Sequence, residues 1–281
     1  MPPIQALDFN GLPALRLALP EGDAVVVARH GAQVLSWTAG GTERLYLSPQ
    51  ALMDGHSAIR GGVPICFPQF NQRGPLPKHG FVRNMAWQPE NGREAAAHEL
   101  ALVLHDSDAT RAFWPHAFRA ELRVALKPRS LRMTLTVDNT GSAPWTFAAA
   151  LHTYLRVDEI ADVQVEGLQG ANRWDAVRDD RHVEMAPVLR FDGEFDSVYA
   201  APAPAQGLRL SQPAGALDIT QSASCTETVV WNPGAQLSAR LADLPDDGYR
   251  HMLCVEAARI DEPVQLQGGA QWKGWQELSL A

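Results

Sequence analysis

The strongest constraint in this chain is a run of strict alternation: Leu131, Met133, Leu135 and Val137 are apolar, and Arg132, Thr134, Thr136 and Asp138 between them are polar. Successive side chains of an extended strand point to opposite faces, so this segment can satisfy both sets only as a strand with one face in a core and one in water. The preceding stretch treats Leu122, Val124 and Leu126 in the same way, and Pro128, Arg129 and Ser130 suit a turn. Residues 121–138 are therefore predicted to form a β-hairpin.

The same logic extends along the chain. A second hairpin is predicted over LRLSQPAGALDIT, residues 208–220, and further strands in AVVVAR near Val26, HELALVL near Leu102, TFAAALHTYLRV near Leu151 and MLCVEAA near Val255. Segments rich in Gly, Pro, Asn and Asp separate them, and no long stretch keeps a helical period. Many short strands without alternating helices imply an all-β fold, a large antiparallel sandwich or barrel, and argue against a doubly wound sheet. At 281 residues the chain is long enough for two domains, but all-β domains often exceed 200 residues, and the Ala/Pro stretch at 199–207 is too short to mark a boundary. Residues 1–281 are read as a single domain.

Charge and cysteine usage exclude several classes. Lys and Arg total 24 against 32 Asp and Glu, a formal net charge of −8, so general attraction to nucleic acid or to an anionic membrane is not expected. Any anionic ligand must be held by a local basic cluster. Cys66, Cys225 and Cys254 are far apart and form no CxxC pair, which argues against a disulfide framework or a structural zinc site. The amino-terminal segment lacks the pattern of a secretory signal and no apolar run approaches a membrane span, so a cytoplasmic protein is expected.

One segment differs from the rest. IRGGVPICFPQFNQRGPLPKHGFVRNMAW, residues 59–87, combines prolines and glycines with Phe67, Phe70, Phe81 and Trp87 and with the cations Arg60, Arg73, Lys78 and Arg83. Pro restricts φ and Gly permits close backbone approach, so such a loop can shape a ligand-facing surface; it can equally be a solvated basic loop. His152 lies in an apolar strand-like run, where a hydrogen-bonded structural histidine and a catalyst look alike. Glu256 lies in a similar run, and burial would raise its pKa unless it pairs with a neighbour such as Arg259. Asp196, beyond a Gly-containing turn, could cap that turn or accept hydrogen bonds from a sugar hydroxyl. No GxSxG, P-loop, GxGxxG or HExxH pattern occurs, and the remaining histidines show no metal-ligand spacing.

Taken in order, IRGGVPICFPQF, KHGFVRN, LHTYLRV, FDSVY, WNPG and MLCVEAA resemble the hexose-6-phosphate mutarotases, or glucose-6-phosphate 1-epimerases, a branch of the aldose-1-epimerase superfamily. The resemblance spans nearly the whole chain. It implies a galactose mutarotase-like β-sandwich whose large antiparallel sheet lines a cleft for a pyranose. Carried over position by position, His152 matches a general acid, Glu256 a general base and His79 a second histidine beside the sugar ring. Asp196 matches a sugar-binding aspartate, and Arg60, Lys78 and Arg83 match cationic substrate contacts suited to a phosphate dianion.

The implied reaction exchanges the α and β anomers of an aldohexose 6-phosphate, needs no metal or other cofactor, and has a small-molecule hexose phosphate as partner, with no nucleic acid or membrane; the sequence leaves the oligomeric state open, and a monomer is the favoured expectation. Two alternatives are a mutarotase for free sugars and a non-catalytic carbohydrate-binding protein. The chain departs from the family pattern at Asn71, where relatives commonly have Gly, at Val82, and at Gln236 and Ser238, where relatives often have lysines. The first change bears on the turn of the loop and the second on packing beside His79.

Overall fold

The strand Ser130–Asn139 pairs antiparallel with Phe118–Lys127, setting Leu131 opposite Leu126 and Leu135 opposite Leu122. Ser130, expected in the turn, already belongs to the second strand, and the connection is the two residues Pro128 and Arg129, with Arg129 at φ +61°. Pro fixes a negative φ at the first of these positions, and positive φ at the second is the pattern of a type II turn. The predicted hairpin between Leu208–Gln212 and Gly215–Gln221 is also present.

The computed structural model describes residues 4–90, 98–203 and 206–281; the first three residues of the amino-terminal segment, residues 91–97, and residues 204 and 205 of the Ala/Pro stretch lie outside the described residues. The described residues form three sheets of five, nine and eight strands. All strand pairings within these sheets are antiparallel. Helix is confined to short pieces such as Asp108–Arg111 and Gly234–Ser238, and no described helix is long and apolar enough to cross a membrane. The nine-stranded sheet contains both predicted hairpins, joined through Gln271–Leu280. At the centre of the eight-stranded sheet runs Met252–Leu266, flanked by Glu227–Asn232 and Trp145–Leu151.

Alternation along Met252–Leu266 sets up the site. Leu253 and Val255 enter the main core with Leu122, Val124, Met133 and Leu135 of the nine-stranded sheet. Burial of each such side chain contributes about 1.5–3 kcal/mol, which ties the two sheets face to face. Cys254 packs instead with Tyr154 and Leu244, and Ala258 with Phe70, Val198 and Val229, in separate clusters on the opposite face. Glu256 keeps the phase of Cys254 and Ala258, so it is directed away from the sandwich core.

The run holding His152 is not the continuous strand its composition suggests. Trp145–Leu151 ends one residue before it and Tyr154–Arg156 resumes two residues after it. The Thr153 N–H donates to the Leu151 carbonyl at 3.0 Å, closing a three-residue turn centred on His152, and the His152 N–H donates to Pro64 at 3.0 Å. The turn satisfies the local backbone while freeing the imidazole from the strand ladder.

The loop at residues 59–87 is not simply a solvated basic loop. Residues 61–70 are buried throughout and include the short strand Ile65–Cys66 at the edge of the eight-stranded sheet. Asn71 and His79 have φ of +49° and +65°, followed by Gly80 at +74°. Asn tolerates this region better than most residues, so the departure at position 71 preserves the turn. A Cβ on Gly80 would lie 2.0 Å from the Phe67 carbonyl oxygen. Gly80→Ala is expected to destabilise the protein by more than about 1 kcal/mol, read as a lower urea midpoint at unchanged m.

Candidate active site

Glu256 is 1% exposed and His152 8% exposed. His152 Nε2 lies 3.3 Å from Glu256 Oε1. Val229 faces Glu256 from the neighbouring strand, and the Tyr154 ring stacks on His152 with centroids 4.9 Å apart and planes 12° from parallel. Two polar atoms of the pair, His152 Nδ1 and Glu256 Oε2, are buried without a hydrogen-bond partner. Folded proteins rarely leave such atoms unsatisfied, and here both belong to groups that border a cavity.

The alternative pairing of Glu256 with Arg259 is not formed. Residues three apart on a strand face opposite ways, and Arg259 donates to Thr226 Oγ1 at 2.7 Å and to Glu262 at 3.4 Å. Burial, followed by the charge of Asp196, pushes the Glu256 carboxyl well above the usual range. Burial and then the charges of Arg83 and Arg60 push His152 down to about 3. Both effects favour the neutral pair, with the shared proton on Glu256.

Two adjoining cavities meet at this pair. One, of about 200 Å³, is bordered by Glu256, His152, His79, Asp196, Trp174 and Trp231. The other, of about 310 Å³, is bordered by Arg60, Lys78, Arg83, His79, His152 and Tyr154. Arg60, Lys78, His79 and His152 border both. The fold thus brings all seven sequence-predicted site residues to two adjoining cavities, with Glu256 and Asp196 bordering the first and Arg83 the second. A groove of about 600 Å³ lies beyond Trp174, but neither His152 nor Glu256 borders it.

The cations differ in how they are held. Arg60 donates through Nε and Nη2 to Asp243 Oδ1 at 3.1 and 3.0 Å, and through Nη1 to the Tyr154 hydroxyl at 3.1 Å. Arg83 donates to the Lys78 carbonyl at 2.9 Å. Asp196 follows the bend at residues 192–193 and stands in the strand Phe195–Ala200, where it borders the cleft. Burial, and then the charge of Glu194, raises its carboxyl to about 6.

His152, Cys254 and Glu256 offer ligand atoms within 4.8 Å of one another. Burial keeps the Cys254 thiol protonated, and Arg60, Lys78 and Arg83 place positive charge beside His152. A divalent cation requires deprotonated ligands and a less positive neighbourhood, so the trio is poorly suited to one.

Sequence reasoning missed Tyr154, Trp231 and Asp243. Tyr154 and Trp231 had a readable signal, since one follows His152 by two positions and the other opens WNPG. Asp243 had none: it meets Arg60 across 183 positions of chain.

The aldose 1-epimerase family matches residues 13–279. An Escherichia coli K12 protein named "Putative glucose-6-phosphate 1-epimerase" is 35% identical over 264 residues, covering 88% of this chain and 86% of its own. A protein of the same name from Cenchrus ciliaris is 35% identical over 261 residues, covering 89% of this chain and 79% of its own. The crystal structure of a "putative mutarotase" from Salmonella typhimurium superposes with a TM-score of 0.89 at 29% identity, covering 100% of this chain and 94% of that one. The galactose 1-epimerase of Lactobacillus acidophilus shares the fold at a TM-score of 0.75 and 14% identity, with 99% of each chain covered. The galactose mutarotase-like sandwich expected from the motifs is the fold observed, and with nearly the full length matched, this chain belongs to the aldose 1-epimerase family.

Proposed function

We propose that this protein interconverts the α and β anomers of an aldohexose 6-phosphate, glucose 6-phosphate or a close relative, by acid–base opening and closure of the ring. The observation that carries the reading is the buried Glu256 and His152 pair, 3.3 Å apart, whose cavity Arg60 and Lys78 also border, with Arg83 in the adjoining cavity that His152 shares. Glu256 takes the proton from the C1 hydroxyl as His152, in its imidazolium form, gives one to the ring oxygen. Rotation about C1–C2 exposes the other carbonyl face, and the same two transfers in reverse close the ring.

The opposed pKa shifts suit this cycle. A carboxylate that strongly prefers to be protonated is a strong base, and an imidazolium that strongly prefers to lose its proton is a strong acid. One shared proton serves both halves: the pair is ionic against the closed ring and neutral against the open aldehyde. A phosphate dianion among Arg60, Lys78 and Arg83 would also offset the positive field that depresses His152.

The related proteins named as glucose-6-phosphate 1-epimerases support the phosphorylated substrate, as does the clustering of three cations in a chain of net charge −8. The acid–base groups and the cations come from one chain, so the reading needs no second subunit to complete the site. One core cluster extends from Leu17 to Leu278, which favours a single domain. Three free, buried cysteines suit a cytoplasmic setting.

Anomer-exchange NMR on glucose 6-phosphate and on glucose tests the reading against the spontaneous rate. Acceleration of the phosphate sugar over glucose is expected, with at least a hundredfold loss in His152→Ala and in Glu256→Gln; equal acceleration of both sugars would remove the phosphate from the assignment. Arg83→Ala is expected to raise KM for glucose 6-phosphate by about ten- to a hundredfold with a smaller change for glucose, as loss of a charged hydrogen bond implies.

Asp196 yields a stability prediction. Because its folded-state pKa of about 6 lies above the usual carboxylate value near 4, its favourable contribution is complete below about pH 4 and is lost as pH rises through about 6. Asp196→Asn should therefore stabilise the ligand-free protein more at about pH 7.5 than at about pH 4, measured as the difference in urea midpoints from wild type.

A further inference from the structure

His79 is held by its Nδ1 edge. The Asn71 backbone N–H donates to Nδ1 at 3.2 Å, and the Cys66 Sγ lies 3.2 Å from the same nitrogen. In return the His79 backbone N–H donates to the Asn71 carbonyl at 2.9 Å, so the two residues clasp each other. The buried Gln69 amide reinforces the clasp by donating to the Asn71 carbonyl at 3.0 Å. Phe70 closes one side of the ring, edge to face at 5.0 Å.

A backbone N–H can only donate, so Nδ1 facing Asn71 must present its lone pair. Protonated Nδ1 would set one N–H against another. Cys66 is fully buried, and burial holds its thiol protonated, so the S–H is available as a second donor to the same lone pair. The edge left for the cavities that His79 borders is Nε2. We propose that the Asn71 amide and the Cys66 thiol fix His79 as the neutral Nε2–H tautomer, making it a hydrogen-bond donor to the bound sugar and making Cys66 a positioning residue.

The surroundings act in the same direction. Burial, then His152, Arg83, Lys78 and Arg60, push His79 far below the ordinary imidazole range. The acids bordering these cavities, Glu194, Asp196, Asp243 and Glu256, do not reverse that balance. With the rings of His79 and His152 5.4 Å apart, the division of labour is clear: His79 donates a hydrogen bond without exchanging its proton, and proton transfer is left to His152 and Glu256. The catalytic meaning of this tautomer rests on the mutarotase reading above, but the tautomer itself does not.

Nitrogen-15 NMR of histidine-labelled, ligand-free protein tests it, with the His79 signals identified by their loss in His79→Gln. The expected spectrum has His79 Nε2 protonated and Nδ1 unprotonated throughout about pH 6–8. A protonated Nδ1, or titration of His79 in that window, would overturn the assignment whether or not the protein accelerates mutarotation. Cys66→Ala should move the Nδ1 signal away from its hydrogen-bonded position and lower turnover about three- to tenfold, the scale of one neutral hydrogen bond. Cys66→Ser, which keeps a donor, should restore both toward wild type. An Nδ1 signal unmoved in Cys66→Ala would remove Cys66 from the clasp, and if that variant does not fold, the wild-type and Cys66→Ser spectra still decide the tautomer.

Discussion

The site depends on keeping a carboxyl and an imidazole in contact and out of water. An isolated buried carboxylate is costly to desolvate, and a buried imidazolium likewise. At 3.3 Å, Glu256 and His152 can share one proton between them and so avoid either isolated charge. That solution requires walls on every side. Val229 comes from the neighbouring strand, Tyr154 stacks on the imidazole, and the sandwich core lies behind Leu253 and Val255. The same burial that makes the pair awkward to hold pushes its two pKa values in opposite directions.

A second constraint is the set of cations that borders the cleft. Arg60 is braced by Asp243 and by the Tyr154 hydroxyl, so the residue stacked on His152 also orients a cation beside it. The loop carrying Lys78, His79 and Arg83 is fixed by left-handed backbone at Asn71 and His79 and by the passage of Gly80 against the Phe67 carbonyl. Left-handed conformations of non-glycine residues cost roughly 1–3 kcal/mol each, and the dense hydrogen bonding of Gln69, Asn71 and His79 offsets that locally. Strain therefore sits beside the site, in the loop that carries Lys78, His79 and Arg83.

Much of the fold was legible where chemistry alternates. The hairpins at residues 121–138 and 208–220 followed from period-two patterns because one face of each strand is buried and the other is not. The run around His152 misled, since an apolar composition does not distinguish a continuous strand from two strands broken by a three-residue turn. Glu256 was singled out by its apolar flanks, but the flanks alone left Arg259 and His152 both open as its partner: Arg259 is near in sequence and on the wrong face, whereas His152 is distant in sequence and in contact. The family motifs identified the seven candidate residues without saying how they are held.

The sequence by itself determined the strand periodicity, the scarcity of helix, the absence of nucleotide-binding and zinc-protease signatures, and the set of residue types available for acid–base chemistry. These are local properties, readable within a few residues. Only the tertiary structure decided that Glu256 faces His152, that Arg60 meets Asp243, and that Cys66 and Asn71 address one nitrogen of His79. Those contacts arise from the stacking of sheets and the path of one buried loop. Burial, which sets the protonation of the pair, is a property of the packed molecule, since no residue carries its own desolvation in its sequence.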